Sequence, residues 1–168
     1  MKTNRLLSLL LAGLLTLALC SCAGNDAAPA QTADMEAMQS ALLAADTTLP
    51  DMLSITGKVG DAKDLFTYLS DLPYEKVDDF LLSYSAEGKA DEIAVIAVKD
   101  PADADAAADT LRAHLDQRLT LFRQYSPDEV SRAEKALVFT QDQYAGLLIC
   151  DNNQDVKAAF EDFLTTAH

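Results

Sequence analysis

Positive charge is scarce in this chain: 13 Lys and Arg stand against 27 Asp and Glu in 168 residues, a net charge of −14. Such a surface repels phosphate backbones and anionic headgroups, which argues against nucleic acid as a partner and against membrane binding through a basic patch. Glycine and proline are few, at six and five, so collagen-like and wholly disordered classes are excluded, and 49% apolar residues supply a core. Reaction signatures are missing too. There is no G-x-S-x-G, H-E-x-x-H or C-x-x-C motif and no phosphate-cradling glycine loop. His114 and His168 stand alone, without metal-ligand spacing.

What is present is clearest at the start. Lys2 and Arg5 precede Leu6 to Leu19, a run of 14 residues interrupted only by Ser8, Gly13 and Thr16. A helix of that length reaches about 21 Å, short of the ~30 Å hydrocarbon core, so the run reads as an export signal rather than a retained span. Leu19-Cys20-Ser21-Cys22 follows and resembles a bacterial lipobox, with an apolar residue three before the modified cysteine and a small one just before it. Cys22 is the better acceptor, because Cys20 would put bulky Leu19 beside the cut. The expected organisation is a signal peptide over 1–21, a tether over 22–33 (CAGNDAAPAQTA) and a single domain over 34–168. Losing Lys2 and Arg5 takes the charge from −14 to −16. A diacylglyceryl group on Cys22 makes the membrane a partner and the extracytoplasmic face the location. A plain secretory signal, or a C-x-C metal or redox pair, is the weaker reading of the same residues. Cys150 ends the apolar run GLLIC and reads as a small core residue.

Met35, Met38, Leu42 and Ala45 recur at helical spacing. Met52 to Thr56 is ambiguous between a strand and nothing regular. Asp61 is placed to cap a short helix carrying Leu65, Tyr68 and Leu69. Val77 to Tyr84 and Ile93 to Val98 read as a hairpin, the second strand apolar on both faces and therefore central. Asp100-Pro101 opens the longest helix, striped by Ala104, Ala108, Leu111, Leu115, Leu119 and Phe122. Ser126-Pro127 starts a short helix, Leu137 to Thr140 and Tyr144 to Cys150 form a second hairpin, and Asn153 to Leu164 closes as a helix. The expected fold is α+β: a four-stranded, largely antiparallel sheet in β-β-α-β-β-α order, covered by helices on one face and preceded by one or two N-terminal helices.

Gly88 to Asp100 (GKADEIAVIAVKD), a following helix with Arg118, Phe122 to Val130 (FRQYSPDEV) and Leu147 to Asp151 (LLICD) carry a resemblance. The chain resembles an uncharacterised family of small clostridial (Firmicutes) lipoproteins known only as a domain of unknown function. Ala90-Asp91-Glu92-Ile93 is the most specific piece and Tyr125-x-Pro127 the next; Gln143 stands where the family pattern has Gly. The resemblance implies localisation and architecture, and no reaction or cofactor.

Asp91 and Glu92 invite an acid/base reading, yet neighbours on a strand point to opposite faces. The expectation is that Asp91 shapes the turn and Glu92 pairs with Arg118 or Arg112 on the overlying helix. Asp91, Glu92, Arg118 and Tyr125 are therefore candidates for ligand contact or structural polarity, with no residue assigned to catalysis; Tyr125, Tyr84 and Tyr74 read most simply as core edges. Asp151, Asn153 and Asp155 begin like a calcium loop, but Val156 replaces the turn glycine and the following residues look helical. The expected function is non-catalytic binding of an envelope protein or small ligand. The alternatives are a carboxylate-based envelope hydrolase, using Asp91, Glu92 or Asp78/Asp79, and an extracellular calcium binder.

Overall fold

Residues 32–166 are described in the computed structural model of the chain. The signal 1–21, Cys22, tether residues 22–31 and His168 lie outside the described residues. Local capping starts the first helix. Asp34 accepts from the backbone N–H groups of Glu36 (3.0 Å) and Ala37 (3.3 Å), and α1 spans Met35–Ala45 with Met35, Met38 and Leu42 buried. Then come β1 (Met52–Thr56), α2 (Ala62–Phe66), β2 (Val77–Ser85) and β3 (Glu92–Val98). Asp100 caps the turn Pro101–Asp103 by accepting from Ala102 N–H (3.0 Å), and α3 continues over Ala104–Tyr125. α4 (Val130–Ala133), β4 (Leu137–Gln141), β5 (Tyr144–Ile149) and α5 (Asn153–Thr166) complete the order.

The α+β class holds, with one antiparallel sheet, but that sheet has five strands rather than four, ordered β1-β2-β3-β5-β4. The added strand is β1. It pairs on one side only and is mostly solvent-facing, so its five residues carry little of the alternation that marks a strand. A Ser54–Ser83 hydroxyl hydrogen bond (2.9 Å) helps to fix its register. The element order also differs: β1 and α2 stand ahead of the expected β-β-α-β-β-α run, and the short helix expected after Ser126-Pro127 is present as α4 and adds an element between α3 and β4.

Helices cover both faces, not one. Every residue of β3 and β5 is buried, which requires a layer on each side. On one face Phe80, Leu82, Ala94, Ile96 and Leu147 pack with α2 and α3. On the other, Leu81, Ile93, Val95 and Leu148 pack with α1 and α5. Both cores lie within residues 32–166. In α2, Ala62 and Phe66 are buried; of the three side chains expected on its inner side Leu69, just beyond the helix, is buried, Leu65 is half-buried and Tyr68 is 76% exposed and turned out. Asp61 makes no side-chain cap.

Two turns explain their residues. Gly88 takes φ +75° between β2 and β3. In the β4–β5 hairpin Asp142 takes the positive φ, 52°, so the Gln at 143 is accommodated without left-handed backbone.

Candidate functional site

Glu92 is the first residue of β3, and the pleat turns it toward α3, where its side chain is only 2% exposed. His114 Nε2 lies 2.7 Å from its Oε1, and Arg118 Nη1 donates to its Oε2 at 3.0 Å. His114 and Arg118 are four apart on α3 and so share one face. His114 is thus not isolated. Arg112 points elsewhere, to Asp109 at 2.7 Å. The rest of the Arg118 guanidinium is loosely held. Nη2 reaches the Lys89 and Ala90 carbonyls only at 3.4 Å, Nε is buried without a partner, and the group lies 4.9 Å from the centre of the Phe122 ring.

Asp91 reaches a different helix. Arg132 Nη1, on α4, donates to its Oδ2 (2.9 Å) and to Glu129 Oε2 (3.2 Å), and Arg132 also meets Asp151 at 3.2 Å. Glu129 accepts in addition from Ala90 N–H at 2.9 Å. Burial pushes the Asp91 carboxyl above its ordinary range, with Arg132 opposing it, and the Asp151 hydrogen bond leads the causes that raise Arg132. Asp91 and Glu92 are therefore two separate ion-pair centres. Asp78 accepts from Thr32, whereas Asp79 accepts from the Gly57 and Phe80 N–H groups (3.1 and 2.8 Å). None of these acids forms a hydrolase-like pair with its neighbour.

The calcium-loop candidates are likewise dispersed. Asp151 pairs with Arg132, Asn153 Nδ2 donates to the Lys135 carbonyl (2.8 Å), and α5 begins at Asn153, carrying Asp155 into its first turn. Among the described residues no group of three or more His, Cys, Asp or Glu could hold a metal ion. The neighbouring Asn152 instead ties to Asp46, donating from its backbone N–H to Oδ2 (3.1 Å) and from Nδ2 to Oδ1 (2.8 Å). Burial works against ionising Asp46, but these bonds and those from Thr48 outweigh it and hold the carboxyl at about 2. Burial and the nearby Asp46 push the Cys150 thiol up to about 12, so this buried cysteine is unreactive. Tyr125 is not a core edge: it ends α3 and is 72% exposed. Tyr84 and Tyr74 are edges of the α3-side core, as expected.

Beside the Glu92 cluster is a cavity of about 340 Å³, within the range of small-molecule sites. Ile55 of β1, Leu65 of α2, and Leu82 and Tyr84 of β2 form apolar walls, Tyr68 stands at the rim, and Glu92, His114 and Arg118 provide the polar part. A second hollow of about 320 Å³ shares Tyr84 and Arg118 with it and continues past Leu53 and Phe122. Sequence reasoning paired Glu92 with Arg118 but missed His114 and the groove. The available signal was the i, i+4 spacing of the two basic side chains.

Fold and site together define an α+β domain with one five-stranded antiparallel sheet and a half-apolar groove where α3 leaves the sheet uncovered. The chain belongs to the family described as Domain of unknown function (DUF4358), whose model matches residues 53–150, from β1 to just past β5. No curated protein and no solved structure matches it. No helix among the described residues is long and apolar enough to cross a membrane.

Proposed function

We propose that this chain is a lipid-anchored extracytoplasmic domain that binds a ligand, without chemistry, in the groove between α2, β1, β2 and α3. The observation that carries the binding reading is the groove itself: apolar walls converging on the buried Glu92–His114–Arg118 cluster. Apolar walls supply affinity and a few fixed polar groups supply orientation, the usual composition of a binding pocket. The anchor rests on the leader and on Leu19-Cys20-Ser21-Cys22, and the likeness to small clostridial lipoproteins supports it. A diacylglyceryl group adds about 0.8 kcal/mol per buried CH₂, so two acyl chains hold the domain at the membrane without any basic patch.

Mass spectrometry of the N-terminal peptide tests the anchor. Diacylglyceryl on Cys22, with Cys22→Ala shifting the chain to the soluble fraction, is the expected result; a bare thiol overturns it. The groove is tested by comparing capture from intact envelopes by the anchored protein, the soluble form and Leu65→Asp. Capture that survives Leu65→Asp in both forms removes the groove from the function.

A further inference from the structure

We propose that the groove takes a small organic anion with an apolar body, its acidic group set against Arg118 and His114 and its body against Ile55, Leu65 and Leu82. This rests on the reading of the groove as the binding site and names the class of ligand.

The polar part of the groove has more donors than acceptors. Both Glu92 oxygens are covered, Oε1 by His114 and Oε2 by Arg118. Glu92 is thus not free to attract a cationic ligand. Arg118 is incompletely satisfied: Nε is buried without a partner and Nη2, the end of the guanidinium available to a ligand, has only long contacts of 3.4 Å. Guanidinium groups with open donors favour carboxylate-like oxygens, where charge-assisted bonds are strong. The charge count points the same way. Lys76, Arg112 and Arg123 each face an acid of their own, whereas Arg118 and His114 divide the single Glu92 carboxylate between them, so donors outnumber acceptors here. Asp71 lies beyond His114 in an adjoining hollow and is the nearby opposing charge. In a chain of net charge −14, this is a donor-rich spot with apolar walls. The volume, about 340 Å³, suits a free small molecule. An anionic bilayer is disfavoured as the source of the acid, because the surrounding surface repels it.

The test compares two dyes with a common aromatic body, 1-anilinonaphthalene-8-sulfonate and the uncharged N-phenyl-1-naphthylamine. They are titrated by fluorescence into the chain from residue 22 onward carrying Cys22→Ala, so that no acyl group competes. Arg118→Gln is expected to weaken the sulfonate about tenfold and to leave the neutral dye within about twofold, since a charge-assisted hydrogen bond is at stake. His114→Gln, which can still donate to Glu92 but lacks the imidazole ring that lines the groove, is expected to weaken the sulfonate severalfold and keep the fold if Arg118→Gln does not. Arg123→Gln, an exposed cation on the same helix, should match wild type, and Leu65→Asp should lose both dyes. If both dyes bind and Leu65→Asp abolishes them, but the Arg118 and His114 variants hold the sulfonate as tightly as wild type, the anion assignment fails and the groove stands. If neither dye binds, or Leu65→Asp leaves both bound, the groove fails as a site and the inference with it.

Discussion

On the α1/α5 side of the sheet Met35, Met38, Leu42, Val95, Val156 and Phe160 are completely sealed from solvent, whereas on the α3 side Ile55, Leu65 and Tyr84 remain partly exposed around a cavity. The difference follows from widths. Five strands at about 4.8 Å spacing present a face some 20 Å across, which takes two helices of about 10 Å diameter to roof. The sealed face has two, of 11 and 14 residues, packed against each other. The other face has one long helix, the 22-residue α3 over β3, β5 and β4, and only the five-residue α2, whose Phe66 ring meets Phe80 of β2 and whose Leu65 lines the groove with Ile55 of β1. The groove is the strip that α3 does not reach. The family match, 53–150, contains the whole open side and omits both α1 and α5.

Truncation separates the two sides most sharply on the sealed face. Phe160 is fully buried and meets Phe139 and Tyr144 edge-to-face at 5.0 and 5.7 Å between ring centres. Phe160→Ala should cost about 4 kcal/mol in urea unfolding. A cost under about 1.5 kcal/mol, the range of volume-conserving swaps, would mean the face is not sealed. Gly146 probes the same core by addition. A Cβ there would stand 2.3 Å from the Phe139 ring, so Gly146→Ala should cost about 2 kcal/mol as the ring is displaced. Unchanged stability would show that the ring has room to move.

Next in size is an acid dependence centred on Asp46, which links the end of α1 to the turn before α5. Its folded carboxyl sits at about 2, below the ordinary 3.8. The unfolded chain therefore takes up the proton first: the stabilisation, about 2 kcal/mol, is complete above pH 3.8 and is lost as pH falls through about 2. Asp79 and Asp91 run the other way, because burial raises both and protonation relieves them. Asp46→Asn should remove the downward slope between pH 4 and pH 2 and leave the opposing contribution visible. A slope unchanged in that variant would assign acid lability elsewhere.

Much of this was legible along the chain and some of it was not, for physical reasons. The run Ile93 to Val98 announced a strand buried on both sides, and Asp100-Pro101 announced the long helix, because both signals are local. A strand buried on both sides needs a layer on each face, so a single covered face does not fit this run. β1 was hidden because an exposed edge strand of five residues has no strong period. Arg132 could not be matched to Asp91, 41 positions away, nor Asn152 to Asp46 at 106, since such pairings depend on how the elements stack. Glu92 and Arg118 could be joined because a strand followed directly by a helix leaves few arrangements.

The smallest predicted effect bears hardest on the comparison. Leu65 sits on α2 as a wall of the groove and is only partly buried. Cutting it to alanine removes apolar surface that already touches water, and the space it leaves opens onto an existing hollow rather than becoming a new enclosed void. The cavity penalty that dominates Phe160→Ala is therefore absent, leaving only part of the transfer contribution. Leu65→Ala should cost at most about 1 kcal/mol in urea unfolding while weakening the uncharged naphthylamine dye severalfold. A stability loss of 3 kcal/mol or more, the scale of a sealed-core truncation, would show that α2 closes the sheet there as firmly as α1 and α5 close the other face. The groove would then be an incompletely packed core and not a place for a ligand.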